Sequence, residues 1–222
     1  MNSISSIGLG ISPIIAIVLI LYIVFFNKRK NVALLIKSYI LGGSSAFLSV
    51  PAVYFAKISG MAVFDNLSDS LIFSFFIVGF FAELGKFIVL KLFILHHKEV
   101  VFPIHGMVYS VITSLGFSTM VAIFYFANFL NLNPPYPANM FILLVGPANI
   151  VFGIILGFFL GMAKFLEKSF VFNIAGLISS TIFSGLFTFC LLSHDYKLLS
   201  LFSFGSSIIV MVLIIRLFSA KT

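Results

Sequence analysis

Residues 71–95 read Leu-Ile-Phe-Ser-Phe-Phe-Ile-Val-Gly-Phe-Phe-Ala-Glu-Leu-Gly-Lys-Phe-Ile-Val-Leu-Lys-Leu-Phe-Ile-Leu, an apolar run whose only charged residues are Glu83, Lys86 and Lys91. A helix needs about 20 apolar residues to cross a hydrocarbon core about 30 Å thick, and this stretch meets that length. Outward from it the same template recurs, giving seven predicted spans at approximately 7–26, 32–56, 71–95, 104–130, 139–163, 172–193 and 198–219.

The composition agrees. Of 222 residues, 61% are hydrophobic, 30 are Phe and only 9% are charged, against about 25% charged in soluble domains. Such a chain cannot cover itself with water-compatible surface, which excludes a soluble globule, a disordered chain and a coiled coil. The expected fold is all-α, a polytopic transmembrane bundle of about seven helices forming a single domain over 1–222, with lipid as its first partner.

The net charge of +7 raises nucleic acid as a partner, but the basic residues sit at span ends rather than on one solvated face, which excludes that reading. Ten of them (Lys28, Arg29, Lys30, Lys37, Lys91, Lys98, Lys164, Lys168, Arg216 and Lys221) fall on one set of alternating sides, against two (Lys57 and Lys197) on the other. The positive-inside rule then predicts an N-terminus outside and a C-terminus in the cytoplasm. The first run lacks a basic leader and a small-residue cleavage site, so it is expected to stay as a span. The single cysteine, Cys190, reads as a buried thiol.

Gly153, Gly157 and Gly161 recur every four residues in the fifth span, a spacing that predicts close packing of a neighbouring helix on that face. Gly42, Gly43, Ser44 and Ser45, followed by Pro51, predict a break in the second span. The Phe excess reads as lipid-facing and core side chains.

Ionisable groups in mid-membrane cost a few kcal/mol each and mark candidate sites. Glu83 and Lys86, three apart, share a helix face. They read either as a structural pair, or a neutral hydrogen-bonded acid, or as a base or metal ligand. His105 opens the fourth span, where an interfacial capping role competes with metal ligation. Asn149 follows Gly146-Pro147-Ala148 and needs an outside partner. Ser184 and Thr188, one turn apart, can satisfy themselves on the backbone. Together Glu83, Lys86, His105, Asn149, Ser184 and Thr188 form the candidate intramembrane polar cluster. His96 and His97 read as solvated interfacial residues, and His194 with Asp195 as a loop on the opposite side.

The order of these residues resembles the PrsW-type intramembrane metalloproteases, distant relatives of the CAAX prenyl proteases, over about 70–190. Phe81-Ala82-Glu83-Leu84-Gly85-Lys86 looks like that family's Glu-Glu-x-x-Lys helix. His105-Gly106-Met107-Val108-Tyr109, Gly116-Phe117-Ser118, and Ile123 with Tyr125 keep the spacing of its Asp-Gly-x-Val-Tyr-Gly and Gly-Phe-Ala-x-x-Glu-Asn-x-x-Tyr segment. Pro147-Ala148-Asn149-Ile150-Val151-Phe152-Gly153, running on to Lys164, is similar to its Pro-Ala-His helix. Ser184-Gly185-Leu186-Phe187-Thr188 resembles its closing His-x-x-x-Asn/Asp helix.

The departures fall at the chemistry. Ala82 stands where the resemblance implies the water-activating carboxylate, leaving Glu83 alone as the candidate catalytic residue. Val121 and Ala122 replace its Glu-Asn pair, Asn149 replaces a metal-type His, and Ser184 and Thr188 replace the final His and acid or amide. Metal hydrolysis asks for about three protein ligands and a base.

The resemblance with these departures implies a catalytically inactive homologue, without a cofactor, that binds or scaffolds another membrane protein or a single transmembrane helix. An alternative is an active zinc peptidase with a rearranged site drawn from Glu83, His105 and Asn149. A second alternative is a small transporter or channel, which the absence of an internal repeat opposes.

Overall fold

The computed structural model of the chain describes residues 3–26, 32–61, 66–129, 138–166, 169–193 and 195–219. Lys28, Arg29, Lys30, Asp65, the 131–137 turn, Lys168, His194 and Lys221 lie outside the described residues.

Helices make up most of the described chain, and no strand occurs in it. They are α1 (Ser3–Phe26), α2 (Val32–Ser45), α3 (Ser49–Ile58), α4 (Leu67–Ile72), α5 (Phe81–Val89), α6 (Pro103–Phe126), α7 (Ala138–Phe165), α8 (Ser169–Leu192) and α9 (Tyr196–Ser219). Among the described residues, six continuous helical stretches are long and apolar enough to cross a membrane: Val32–Ile58, Leu67–Ile94, Pro103–Phe126, Met140–Phe165, Ser169–Leu192 and Tyr196–Arg216. In α1 the apolar helix that meets the same composition is the shorter Ile11–Ile23. The all-helical membrane bundle expected from the sequence is therefore the fold, since only helices and closed barrels satisfy every backbone group in lipid.

Local chemistry explains where the helices change. Between α2 and α3 lies a single 3-10 turn, Ala46–Leu48, just past the Gly-Gly-Ser-Ser tetrad. Pro51 falls in the first turn of α3, where it has no N–H to offer the carbonyls of the 3-10 turn before it. The fourth span stops at Phe126 rather than reaching 130 as expected: Asn128 takes φ 49°, the left-handed conformation that Asn adopts more readily than most residues.

The third span is not uniform. Phe73–Phe80 and Leu90–Ile94 are π-helical, on either side of the α-helical turns of α5. The Leu95 N–H donates to the Leu90 carbonyl at 2.8 Å, five residues back. Wide turns of this kind are rare and concentrate at functional sites. Here they bracket the two buried charges of α5, Glu83 and Lys86.

At the centre of the bundle is α6, largely buried along its length. One core cluster joins Leu34 and Leu35 of α2, Leu90 and Ile94 of the third span, Tyr109 and Ile112 of α6, and Leu156 and Leu160 of α7. Lipid is as apolar as these side chains, so close van der Waals fit rather than escape from water holds them together. The α6–α7 contact shows it most clearly. A Cβ on Gly157 would stand 2.6 Å from the Met107 Cα, and one on Gly106 would stand 2.7 Å from the Gly161 Cα. By contrast α9 lies at the periphery, with Leu201, Phe204 and Met211 exposed, the arrangement of a lipid-facing helix.

Candidate functional site

Near the middle of the bundle, Lys86 binds two partners. Its Nζ donates to Glu83 Oε1 at 2.5 Å, within α5, and to Asn149 Oδ1 at 3.0 Å, across to α7. Glu83 and Lys86 are fully buried and Asn149 is 4% exposed. The three-residue spacing puts the two charges on one helix face, and the small Gly85 between them brings α5 against the Ser45 backbone of α2.

Local geometry aims the Asn149 amide. The ring of Pro147, within α7, cannot donate to the carbonyl a turn earlier. Two residues on, Asn149 Nδ2 donates back to the Val145 carbonyl at 2.9 Å. With its nitrogen so held, the amide oxygen faces Lys86.

Aromatic rings close the remaining sides. The ammonium lies 4.9 Å from the centroid of Phe117, on α6, and 5.6 Å from that of Phe152, on α7. Both distances fall within the range in which a ring face attracts a cation. A lysine ammonium has three N–H donors, and two are spent on oxygens. The second carboxylate oxygen, Glu83 Oε2, is buried with no hydrogen-bond partner among the described residues.

The other sequence candidates lie elsewhere. His105 sits twelve residues before Phe117 on α6, about 18 Å along the helix axis at 1.5 Å per residue. There its Nδ1 lies 2.8 Å from the Glu99 carbonyl and accepts from the Val101 N–H at 3.2 Å, while its ring meets Phe102 edge-on. That is the capping arrangement of a helix entrance. Thr188 Oγ1 donates to the Ser184 carbonyl at 3.0 Å, and neither residue bonds to Lys86, Glu83 or Asn149. Of the six expected cluster members, the structure joins Glu83, Lys86 and Asn149.

Two features escaped the sequence reading. Phe117 and Phe152 belong to the site although a Phe-rich membrane chain marks no ring as special. Lys164, taken only as an orientation charge, has its Nζ donating to the carbonyls of Leu95 at 2.6 Å, Val100 at 2.7 Å and His97 at 3.4 Å. It ties the end of α7 to the loop between the third span and α6.

Zinc asks for about three protein ligands with lone pairs directed at one point. No group of three His, Cys, Asp or Glu side chains able to hold a metal ion occurs among the described residues. Glu83 Oε1 and Asn149 Oδ1 both point at an ammonium, whose charge repels a second cation across so short a gap. The donor set as it stands does not fit the metal.

Comparison with known proteins gives the lineage. The model of the PrsW family of intramembrane metalloproteases matches residues 30–218, well beyond the 70–190 stretch that carries the motifs. Protease PrsW of Clostridioides difficile is 29% identical over 139 residues, 62% of this chain and 57% of that protein, so the match spans little more than half of that relative. Protease PrsW of Shouchella clausii is 26% identical over 193 residues, 86% of this chain and 85% of its own. Protease PrsW of Oceanobacillus iheyensis is 30% identical over 166 residues, 72% and 70% respectively. No solved structure gives a significant match. A helical membrane bundle matched by the family's model over most of its length, this chain belongs to the PrsW family of intramembrane metalloproteases.

Proposed function

We propose that this chain is a non-hydrolytic member of its family that holds a transmembrane helix of another membrane protein, in the cell's inner membrane, with its N-terminus outside and its C-terminus in the cytoplasm. One observation carries the loss of hydrolysis: Asn149, at the position where the resemblance expects a metal-type His, spends its oxygen on Lys86 at 3.0 Å. No metal takes part in this reading. The family match over 30–218 supports a retained framework, whose α6 and α7 glycines are spent on contacts within the bundle, so the held helix lies against the outer surface of the bundle.

The test uses the purified chain reconstituted in vesicles with fluorescently labelled single-span helices. Saturable energy transfer without cleavage, insensitive to chelator, is the expected result. Zinc-dependent cleavage that disappears in Glu83→Ala would make the protein a protease instead. Energy transfer that rises only linearly with helix density would remove the helix-holding role.

A further inference from the structure

We propose that the Glu83–Asn149–Phe117–Phe152 group is a cage for a primary ammonium ion, and that the chain's own Lys86 is its resident cation. The assignment rests on four contacts from three spans: a carboxylate oxygen at 2.5 Å, an amide oxygen at 3.0 Å, and ring centroids at 4.9 and 5.6 Å. Two oxygens take two N–H groups, and the ring faces stabilise the charge where no lone pair is offered.

This chemistry separates cations. A primary alkylammonium is satisfied by two acceptors and aromatic faces. A divalent metal is not, because rings give it no coordinating lone pair and an amide oxygen is a poor ligand for zinc. A quaternary ammonium keeps the aromatic attraction but has no N–H for Glu83 or Asn149. The cage therefore selects by hydrogen bonding as well as charge. The bond of Asn149 Nδ2 to the Val145 carbonyl sets the amide to accept rather than donate. Within the bundle, Lys86 then works as a removable pin: its ammonium links the third span to α7 while touching the Phe117 ring of α6.

Deleting the pin and supplying it from solution tests the cage. Lys86→Ala removes three carbons and the ammonium, so n-propylammonium is the matching fragment. In detergent, Lys86→Ala is expected to melt on the order of 10 °C below the wild type. n-Propylammonium chloride at tens of millimolar should recover about half of that loss or more, with tetramethylammonium chloride and zinc chloride recovering none. Lys86→Met, which fills the volume without charge, should stay low and ignore the amine.

Zinc restoring the melting temperature, equal effects of the two ammonium salts, or a Lys86→Met protein as stable as the wild type would each overturn the cage. Should Lys86→Ala fail to accumulate, cells expressing it are grown with either salt and the folded yield is read by size-exclusion chromatography. A selective rise with n-propylammonium supports the cage, and none overturns it. Proteolysis by the wild-type chain would remove the non-hydrolytic reading and leave the cage standing, whereas failed rescue would remove the cage alone.

Discussion

Lys86 and Asn149, sixty-three residues apart, meet at 3.0 Å in the core of the bundle, so a hydrogen bond from a charged group joins the middle of the third span to α7. Hydrogen bonds of this kind exceed neutral ones in strength, and lipid offers no water to replace them. The Glu83–Lys86–Asn149 group is therefore both the chemical centre of the site and a structural link.

The pair is expected to behave as a unit. Breaking a buried ion pair by removing one partner costs about 3–5 kcal/mol, because the other charge is left uncompensated. Glu83→Gln and Lys86→Met should each destabilise on that scale, and the double variant by less than their sum, with a coupling of about 1–3 kcal/mol. Thermal or denaturant unfolding in detergent reads the cycle. Additive losses would mean that the two side chains act separately.

The α6–α7 contact should tolerate no added carbon. Gly157→Ala places a Cβ 2.6 Å from the Met107 Cα, and overpacking of this kind costs about 1–3 kcal/mol. Gly205→Ala, where nothing lies within 4 Å, should be neutral or slightly stabilising, since Ala is the better helix former by up to about 1 kcal/mol. Melting temperatures of the two variants make the comparison, with Gly205→Ala as the control for helix substitution in general.

Lys164→Met should loosen one end of the bundle without unfolding it. Three backbone carbonyls, those of Leu95, His97 and Val100, lose their shared donor. Hydrogen exchange of the amides in 95–101 should accelerate about tenfold, the equivalent of roughly 1.4 kcal/mol, while exchange in the middle of α6 stays unchanged.

Much of this architecture could be read from residue spacing, and what could not has physical reasons. Length and hydropathy suffice for spans because bilayer thickness sets a single threshold. Glu83 and Lys86 pair by the same arithmetic that governs any two helical residues three apart, and a buried amide such as Asn149 announces that it needs a partner without naming it. The π-helical turns at Phe73–Phe80 and Leu90–Ile94 leave no trace in composition, because they differ from α-helix only in hydrogen-bond register. His105 entered the cluster by sequence order, whereas its distance along α6 from Phe117 keeps it at the helix entrance. Phe117 and Phe152 became cage walls through tertiary placement alone, as two rings among 30 Phe.

The orientation proposed from charge is open to direct labelling. With basic residues facing the cytoplasm, Lys98→Cys should react with a membrane-impermeant maleimide only after cell lysis, and Lys57→Cys in intact cells, each in a Cys190→Ser background. The reverse pattern would invert the bundle.

The central claim is that the cation at the heart of this bundle is the Lys86 ammonium rather than a metal. Zinc content of the purified wild-type chain, measured by mass spectrometry after equilibration with micromolar zinc, tests it most directly. The account predicts less than about 0.1 zinc per chain, as expected where no set of three ligands converges. About one tightly held zinc per chain, lost on Glu83→Ala, would contradict it.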